Sequence, residues 1–329
     1  MDKFRLPEKH SDTAAASHSD SPIFLAPYPE TRFRAEYFDR KPLAIRRNCP
    51  NYFMSVMTLG EIDELVTSVR IPATNLNMAN GDMPLPRTAY CVGNDFVDKE
   101  LVLAHHRDGA TIILRAVEQW SSSLNRLRMA AERFFLCGCQ INAYLTPPEK
   151  KSTPPHWDTH DLVVMQLSGT KVWRLYGGRR SLPLDEERFE IDSDQVDSNY
   201  EEVELVAGDT LYLPRGVIHE PIARDYSVHL SIGVHVVRWY QVLDRALRLL
   251  ASQEGSMLRP AVTDTASGLL PASLIDELNR LTDPAVIQAA GILLQRQFES
   301  SKTRDRTGLL CELASVGSVS AAPTQTFRG

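Results

Sequence analysis

The segment PPHWDTH, residues 154–160, sets His156 and His160 on either side of Asp158 in a chain with only nine histidines. Imidazole nitrogen and carboxylate oxygen are good donors for first-row transition metals, and alternate residues of an extended strand share a face. Read as a strand, the segment projects His156 and Asp158 together and turns Trp157 away. A non-haem Fe(II) centre of the two-histidine, one-carboxylate kind needs a third ligand, all three on one side of the ion with the other positions open. His219 is the best candidate, some sixty residues on in LYLPRGVIHEP, just after an expected strand and a tight Pro-Arg-Gly turn. A lone H-x-D is weak, since a histidine near an aspartate is commonly a hydrogen-bonded surface pair. H-x-D followed by GDTLYLPRGVIH is far more specific. His160 reads as structural or as an outer support, because ligation by His156, Asp158 and His160 would ask one strand to wrap one ion. Asp161 has the same standing.

Those residues need a rigid frame, and residues 139–236 read as one. QINAYL, HDLVVMQL, KVWRLYG, VELVAGDTLYLP and SVHLSIGVHV are short β-rich runs separated by turn residues, the pattern of a sandwich or barrel. Ser168-Gly169 marks an expected hairpin between the second and third runs, and Gly208-Asp209 a second tight turn. Upstream, FRAEYFDRKPLAIRR gives an amphipathic helix and then a short strand at Leu43 to Arg46, and SVMTLGEIDELVTSV a helix entered at Thr58. Irregular, proline-rich sequence follows through Pro86. From Ala110 to Phe135 a short apolar run leads into helical spacing, with Val117, Trp120, Leu124 and Leu127 near one face. Downstream, WYQVLDRALRLLAS is a helix, and further helices start at Ser273 and at Asp283, where Pro284 suits the first turn.

Composition bounds what this frame can serve. With 329 residues, 43% of them hydrophobic, the chain can bury a large core, and a net charge of −6 gives no general attraction for a phosphate backbone. Nucleic acid is therefore not an expected partner. No run approaches the roughly 20 apolar residues of a membrane span, and the first residues lack the apolar centre of a secretory signal, so a cytoplasmic location without membrane contact is expected. Five cysteines are too sparse for a disulfide framework. Cys137-Gly-Cys139 could be half of a zinc site, but without a matching pair two core thiols are the better reading.

NAYLTPPEKKSTPPHWDTHDLVVMQLSGTKVWRLY followed by AGDTLYLPRGVIHEPIARDYSVHLSIGVH resembles the JmjC-type cupin domain of the ribosomal oxygenases, a family of 2-oxoglutarate-dependent protein hydroxylases, and FRAEYFDRKPLAIRR is similar to the segment that opens it. The resemblance implies a mainly β fold with flanking helices, a double-stranded β-helix of the jelly-roll type with a C-terminal helical region. It places a cupin domain with its N-terminal helical scaffold at 23–237 and a helical dimerisation region at 238–314, while polar composition with little to bury makes 1–22 an expected disordered segment and 315–329 an expected flexible tail. It implies Fe(II), 2-oxoglutarate as cosubstrate and O2. His156, Asp158 and His219 match the iron ligands. Lys171, thirteen residues past Asp158, matches the lysine that pairs with the distal carboxylate of 2-oxoglutarate, and Asn142 and Tyr144 match polar residues of the cosubstrate pocket. The family's serine or threonine contact falls at Ser231, with Gly233 as the competing alignment.

Other residues have plainer readings. His229 and His235 lie on an expected strand and can simply be packed, Trp157 and Trp173 are core or pocket walls, and Arg238, Arg245 and Arg248 form a solvated helix face. The resemblance makes a side chain of a protein or peptide the first choice of substrate and a homodimer through the C-terminal helices the expected assembly. The roughly 90 residues after the barrel are too few for the winged-helix module that follows in the family, which weakens a ribosomal substrate specifically. Hydroxylation of a small molecule, such as an amino acid or natural product, and a cupin that binds without catalysis are the alternatives.

Overall fold

The structure, a computed structural model, describes residues 21–300 apart from 94, 180–181, 188, 190–195, 197 and 261–269. The expected disordered 1–22 therefore lies almost wholly outside the described residues, and the expected tail 315–329 entirely so. The scaffold runs α1 (Glu30–Glu36), β1 (Leu43–Ile45), α2 (Leu59–Ser68), β2 (Leu76–Asn80), β3 (Met83–Pro84), β4 (Cys91–Val92), β5 (Phe96–Val97), α3 (Lys99–Arg107), β6 (Thr111–Leu114) and α4 (Ser122–Phe135). The barrel strands are β7 (Gly138–Thr146), β8 (Asp161–Ser168), β9 (Lys171–Arg179), β10 (Tyr200–Leu205), β11 (Thr210–Leu213), β12 (Val217–Ala223) and β13 (Ser227–His235). After them come α5 (Trp239–Ser252), α6 (Ala272–Asn279) and α7 (Pro284–Ser300).

Two sheets face each other. One has the order β1-β11-β8-β13-β7-β6-β2-β3 and the other β10-β9-β12, with antiparallel pairing throughout. Strands β8 and β9 lie in different sheets, as do β10 and β11, β11 and β12, and β12 and β13. The turns at Ser168-Gly169 and Gly208-Asp209 are thus crossings from one sheet to the other. This corrects the expected hairpin at Ser168-Gly169: the turn residues are where the sequence puts them, but the partner strand is not the next one. The repeated crossing is the jelly-roll connection, so the expected fold class holds.

The period-2 rule explains where polar residues go. On β7, Cys139, Ile141, Ala143 and Leu145 join the large outer core beneath α4; on β13, Val228, Leu230, Ile232 and Val234 do the same. Their neighbours Asn142, Tyr144, Thr146, His229 and Ser231 must then face the barrel interior. On β8 the parity reads the other way: Val163 and Met165 pack outside, whereas Leu162 and Val164 meet Trp173, Leu175, Leu211 and Leu213 between the sheets. One end of the barrel is thereby filled with aliphatic groups, and the other is left polar.

The scaffold is sewn to this frame at named points. Thr58 caps α2 through a reciprocal bond with Glu61, as the helix start in the sequence implies. Phe24, Phe33, Phe134, Phe135 and Tyr212 pack ring against ring between α1, α4 and β11. The half-buried Arg47 guanidinium donates to the carbonyls of Ala26, Phe24 and Gly208 and to Thr210 Oγ1. The elements differ from the sequence reading at several points. The stretch before Pro86 contains β2 and β3, α3 was not anticipated, and β12 is a full strand where only a turn was expected.

Candidate metal centre

The segment PPHWDTH is not a strand. It runs irregularly except at one antiparallel bridge, where His156 faces His219 of β12. His156 N–H donates to the His219 carbonyl at 3.1 Å and His219 N–H donates back at 2.8 Å. The two imidazoles come together because their backbones are paired, so the expected strand parity of His156 and Asp158 is replaced by a cross-strand relation. His219 follows a register irregularity between Val217 and His219 in β12, a bulge of the sort that re-aims a side chain. Asp158 is held by its own backbone: its carbonyl accepts from Gly216 N–H at 3.0 Å.

Both histidines are prepared in the same way. His156 Nδ1 lies 2.8 Å from the Pro154 carbonyl and His219 Nδ1 3.0 Å from the Val217 carbonyl, in each case two residues back. A carbonyl only accepts, so each Nδ1 carries the hydrogen and each Nε2 is left with a free lone pair. Asp158 Oδ2 stands 3.6 Å from His219 Nε2 and 4.0 Å from His156 Nε2. Bonds of about 2.1 Å place adjacent ligands about 3 Å apart, so a small closure of these side chains would complete a facial set. Among the described residues these three form the only His, Cys, Asp or Glu group with ligand atoms close enough to share an ion. Burial works to raise the Asp158 carboxyl, but His160, His156, His219 and His235 outweigh it and hold it below the usual carboxylate range. Burial and the neighbouring His156 press His219 down to about 4. The donor set is thus one carboxylate and a neutral His219 presenting nitrogen, the chemistry a divalent transition metal takes.

Behind it lies a cavity of about 160 Å³ lined by Asn142, Tyr144, Ser152, Thr153, His156, Asp158, His160, Leu162, Trp173, His219, Pro221, His229 and Ser231. Lys171 lies against two of its lining residues, Ser152 and His229, fully buried, with Nζ donating to Thr146 Oγ1 at 2.9 Å and Ser152 Oγ at 3.3 Å and lying 3.4 Å from His229 Nδ1. None of these partners is an acid. Burial pushes the Lys171 amine down to about 7. Tyr144 stacks on His229 with ring centroids 4.6 Å apart, and burial, then Asp158, pushes its phenol up to about 12. Asn142 Oδ1 accepts from Ala116 N–H and Gln140 Nε2, which ties β7 to the linker before α4.

Asn142, Tyr144 and Ser231 line the cavity. Gly233 does not: a Cβ there would sit 3.0 Å from His160 Cδ2, so this position makes room for His160, which stacks on His235. Asp161 is structural, its carboxylate accepting from Tyr212 OH at 2.6 Å and from Arg215 N–H at 3.0 Å. That pair fixes the Pro-Arg-Gly turn whose Gly216 holds Asp158. Arg238 is a correction. Its side chain is buried rather than solvated, donating to the Thr159 carbonyl at 2.5 Å and pairing with Asp185 at 2.7 Å, because it fastens the segment that follows the ligands. Arg248 does lie on an exposed face, paired with Asp244. Cys137 and Cys139 are buried core thiols. Sequence reasoning missed His229, Thr146 and Ser152 as partners of Lys171. Parity on β7 and β13 marks the first two, but Ser152 lies in irregular chain with no such signal.

The fold and centre define a jelly-roll cupin of the JmjC class, and residues 116–242 match the family described as JmjC domain. The chain is similar to the bifunctional lysine-specific demethylase and histidyl-hydroxylase NO66 of Dictyostelium discoideum, 30% identical over 229 residues that cover 66% of this chain and 44% of that protein. Ribosomal oxygenase 2 of Mus musculus is 27% identical over 242 residues, 70% of this chain and 51% of that one. The chain thus spans about half, or less, of the length of these relatives. Among solved structures, the X-ray structure of E. coli ycfD is similar with a TM-score of 0.49 and 16% identity, over 79% of this chain and 69% of that one. The resemblance to ribosomal oxygenases read from the motifs is borne out by these relatives.

Proposed function

We propose that the protein is an Fe(II)- and 2-oxoglutarate-dependent oxygenase that hydroxylates a side chain of a protein or peptide substrate. His156, Asp158 and His219 would hold the metal on one side and leave its other positions to ligands from the cavity. Bound ferrous iron, with 2-oxoglutarate and O2, supplies oxidative decarboxylation of the keto acid to succinate and carbon dioxide and insertion of one oxygen atom into a C–H bond. The remaining work belongs to the chain. Lys171 receives the distal carboxylate of the cosubstrate, Asn142, Tyr144 and Ser231 line its path, and Leu162 with Trp173 excludes water. The single observation that carries this reading is the fully buried amine of Lys171, which has only hydroxyls and a neutral imidazole around it and no anion to hold its charged form. A buried cation without an anion is unfavourable, and a dicarboxylate that also reaches the metal supplies the missing charge.

The protein substrate is supported by the names of the relatives, which include a histidyl-hydroxylase and a ribosomal oxygenase. A homodimer through α5–α7 and a cytoplasmic location complete the reading. Among the described residues no helix is long and apolar enough to cross a membrane. An anaerobic titration with Fe(II) and 2-oxoglutarate tests the centre: a weak visible charge-transfer band is expected, followed under air by succinate. No band and no succinate would leave a binding module. Comparing the proteome and metabolites of cells with and without the protein for a gain of 16 Da, the mass of one oxygen atom, tests the substrate. A change confined to metabolites would overturn the protein reading.

A further inference from the structure

Two residues of the cavity wall each carry a buried polar atom with no hydrogen-bond partner in the protein: Nε1 of Trp173 and Oγ1 of Thr153. Trp173 is 3% exposed, and an indole N–H can only donate. Buried donors are rarely left without an acceptor, so each such case asks what satisfies it. The position of Trp173 narrows the answer. It shares a face of β9 with Lys171, two residues away, and its ring lies 5.6 Å from that of His229 and 5.7 Å from that of His219. His229 neighbours the ammonium and His219 belongs to the metal set, so the indole stands between the two ends of the cavity. Thr153 is placed likewise along the chain, next to Ser152, which accepts from Lys171, and three residues before His156.

We infer that the Trp173 indole N–H, assisted by the Thr153 hydroxyl, donates to the 1-carboxylate of the bound keto acid, at the oxygen that a metal chelate leaves free. The inference rests on the reading of the cavity as a 2-oxoglutarate site. The distal carboxylate already meets Lys171, itself supported by Thr146, Ser152 and His229. Chelation through the keto oxygen and one carboxylate oxygen uses two acceptors of the other end and leaves one within the cavity, beside the metal set. A neutral donor satisfies that oxygen without bringing a second positive charge close to the metal, and a bond to a carboxylate is stronger than one between neutral groups. Trp173 is thus a binding residue that fixes the orientation of the keto acid.

The test uses the full chain loaded with Zn(II), so that no turnover occurs, and two ligands: 2-oxoglutarate and 4-oxopentanoate, which keeps the ketone and the distal carboxylate but has a methyl group where the 1-carboxylate would be. Calorimetry should show Trp173→Phe binding 2-oxoglutarate about tenfold or more weakly, the loss expected for a bond to a charged acceptor, with 4-oxopentanoate affinity unchanged. Equal 2-oxoglutarate affinity in variant and wild type would overturn the inference, and so would a parallel loss of both ligands, which is what altered packing produces. Absence of 2-oxoglutarate binding to the wild type would instead count against the reading of the cavity itself. Nitrogen-15 indole spectra of the wild type make the test independent of how the variant folds. The chain has four tryptophans, so the Trp173 signal is assigned by elimination with Phe at Trp120, Trp157 and Trp239. It should move downfield with 2-oxoglutarate and stay in place with 4-oxopentanoate; a signal that ignores 2-oxoglutarate overturns the assignment.

Discussion

Lys171 Nζ lies 3.4 Å from Nδ1 of His229, and the hydroxyls of Thr146 and Ser152 complete its surroundings. Burial, and then the lysine itself, keeps His229 well below its ordinary value, so it faces the amine as a neutral acceptor. Burial sets the Lys171 amine at about 7 against an ordinary 10.5. Between those values the unfolded chain holds the proton and the folded chain has lost it, so stability rises with pH across this window. Below it both states are protonated and the full cost of the buried ammonium is present. Lys171→Met should therefore stabilise the ligand-free protein by a few kcal/mol near pH 6.5, at about 1.4 kcal/mol per pH unit between the two values, with the gain fading toward pH 10. Thermal melts of both proteins over this range check it. A variant that melts lower at pH 6.5 would contradict the account.

The same site predicts proton-coupled binding. A carboxylate arriving beside Nζ favours the ammonium and returns its pKa toward the ordinary range. At about pH 8 the complex should take up close to one proton per 2-oxoglutarate, and at about pH 6 almost none, since the amine is then already charged. Titration calorimetry in two buffers of different ionisation enthalpy measures the number directly. Equal apparent enthalpies in both buffers at pH 8 would show that Lys171 does not titrate on binding.

Replacing any one of His156, Asp158 or His219 by Ala should lower Fe(II) retention by orders of magnitude and remove 2-oxoglutarate-dependent succinate formation. Two ligands cannot hold the facial set, and the two imidazoles have already spent their Nδ1 hydrogens on backbone carbonyls. His160→Ala should keep most of the metal, because His160 stacks on His235 outside the ligand group. Metal analysis after gel filtration separates these cases. Retention by His219→Ala would remove it from the centre.

Much of this centre was legible in the residues. The donors have distinctive types and a distinctive long-range spacing, and alternation along β7 and β13 carries Asn142, Tyr144 and Ser231 to the interior whatever the details of the turns. What was hidden was pairing. Local sequence marks Ser168-Gly169 as a turn, but whether the chain folds back on itself or crosses to the facing sheet depends on contacts made by β13 and β12, some sixty residues away, where turn chemistry is silent. His156 misled for the same reason: it has a strand-like bridge to His219 but no strand of its own, since the proline-rich chain around it forms no ladder. Arg238 looked solvated because helical charge spacing cannot reveal that Thr159 and Asp185 come to cover it.

The crossings make a prediction about stability. Gly169 has φ +67°, and a Cβ there would stand 2.1 Å from the Tyr226 carbonyl oxygen; Gly208 has φ +94°, with a Cβ 2.1 Å from the Cys49 carbonyl oxygen. Both neighbours are backbone and cannot turn aside as a side chain would. Alanine at either position combines an unfavourable dihedral with a steric clash and should destabilise the fold by about 2 kcal/mol or more. Gly81, with φ +62° and open space around its Cβ, is the control, for which only the dihedral cost of roughly 1 kcal/mol applies. Chemical denaturation ranks the three, and equal losses would mean that the crossings are not under steric constraint.

Helix α5 bears on the assembly. Trp239 is 73% exposed and Leu243, one turn on and on the same side, is 43% exposed, while Ala246 and Leu250 are buried and α5 packs against α7. An exposed Trp-Leu pair on a helix otherwise anchored to its neighbours is the kind of surface a second copy buries in an isologous contact. In the proposed homodimer, Trp239→Asp with Leu243→Asp should yield a monomer at about 10 µM, with the 2-oxoglutarate affinity of the separate barrel retained. Sedimentation velocity of wild type and variant decides the point. A wild type that sediments as a monomer would remove the dimer, while a variant that stays dimeric would move the contact away from α5.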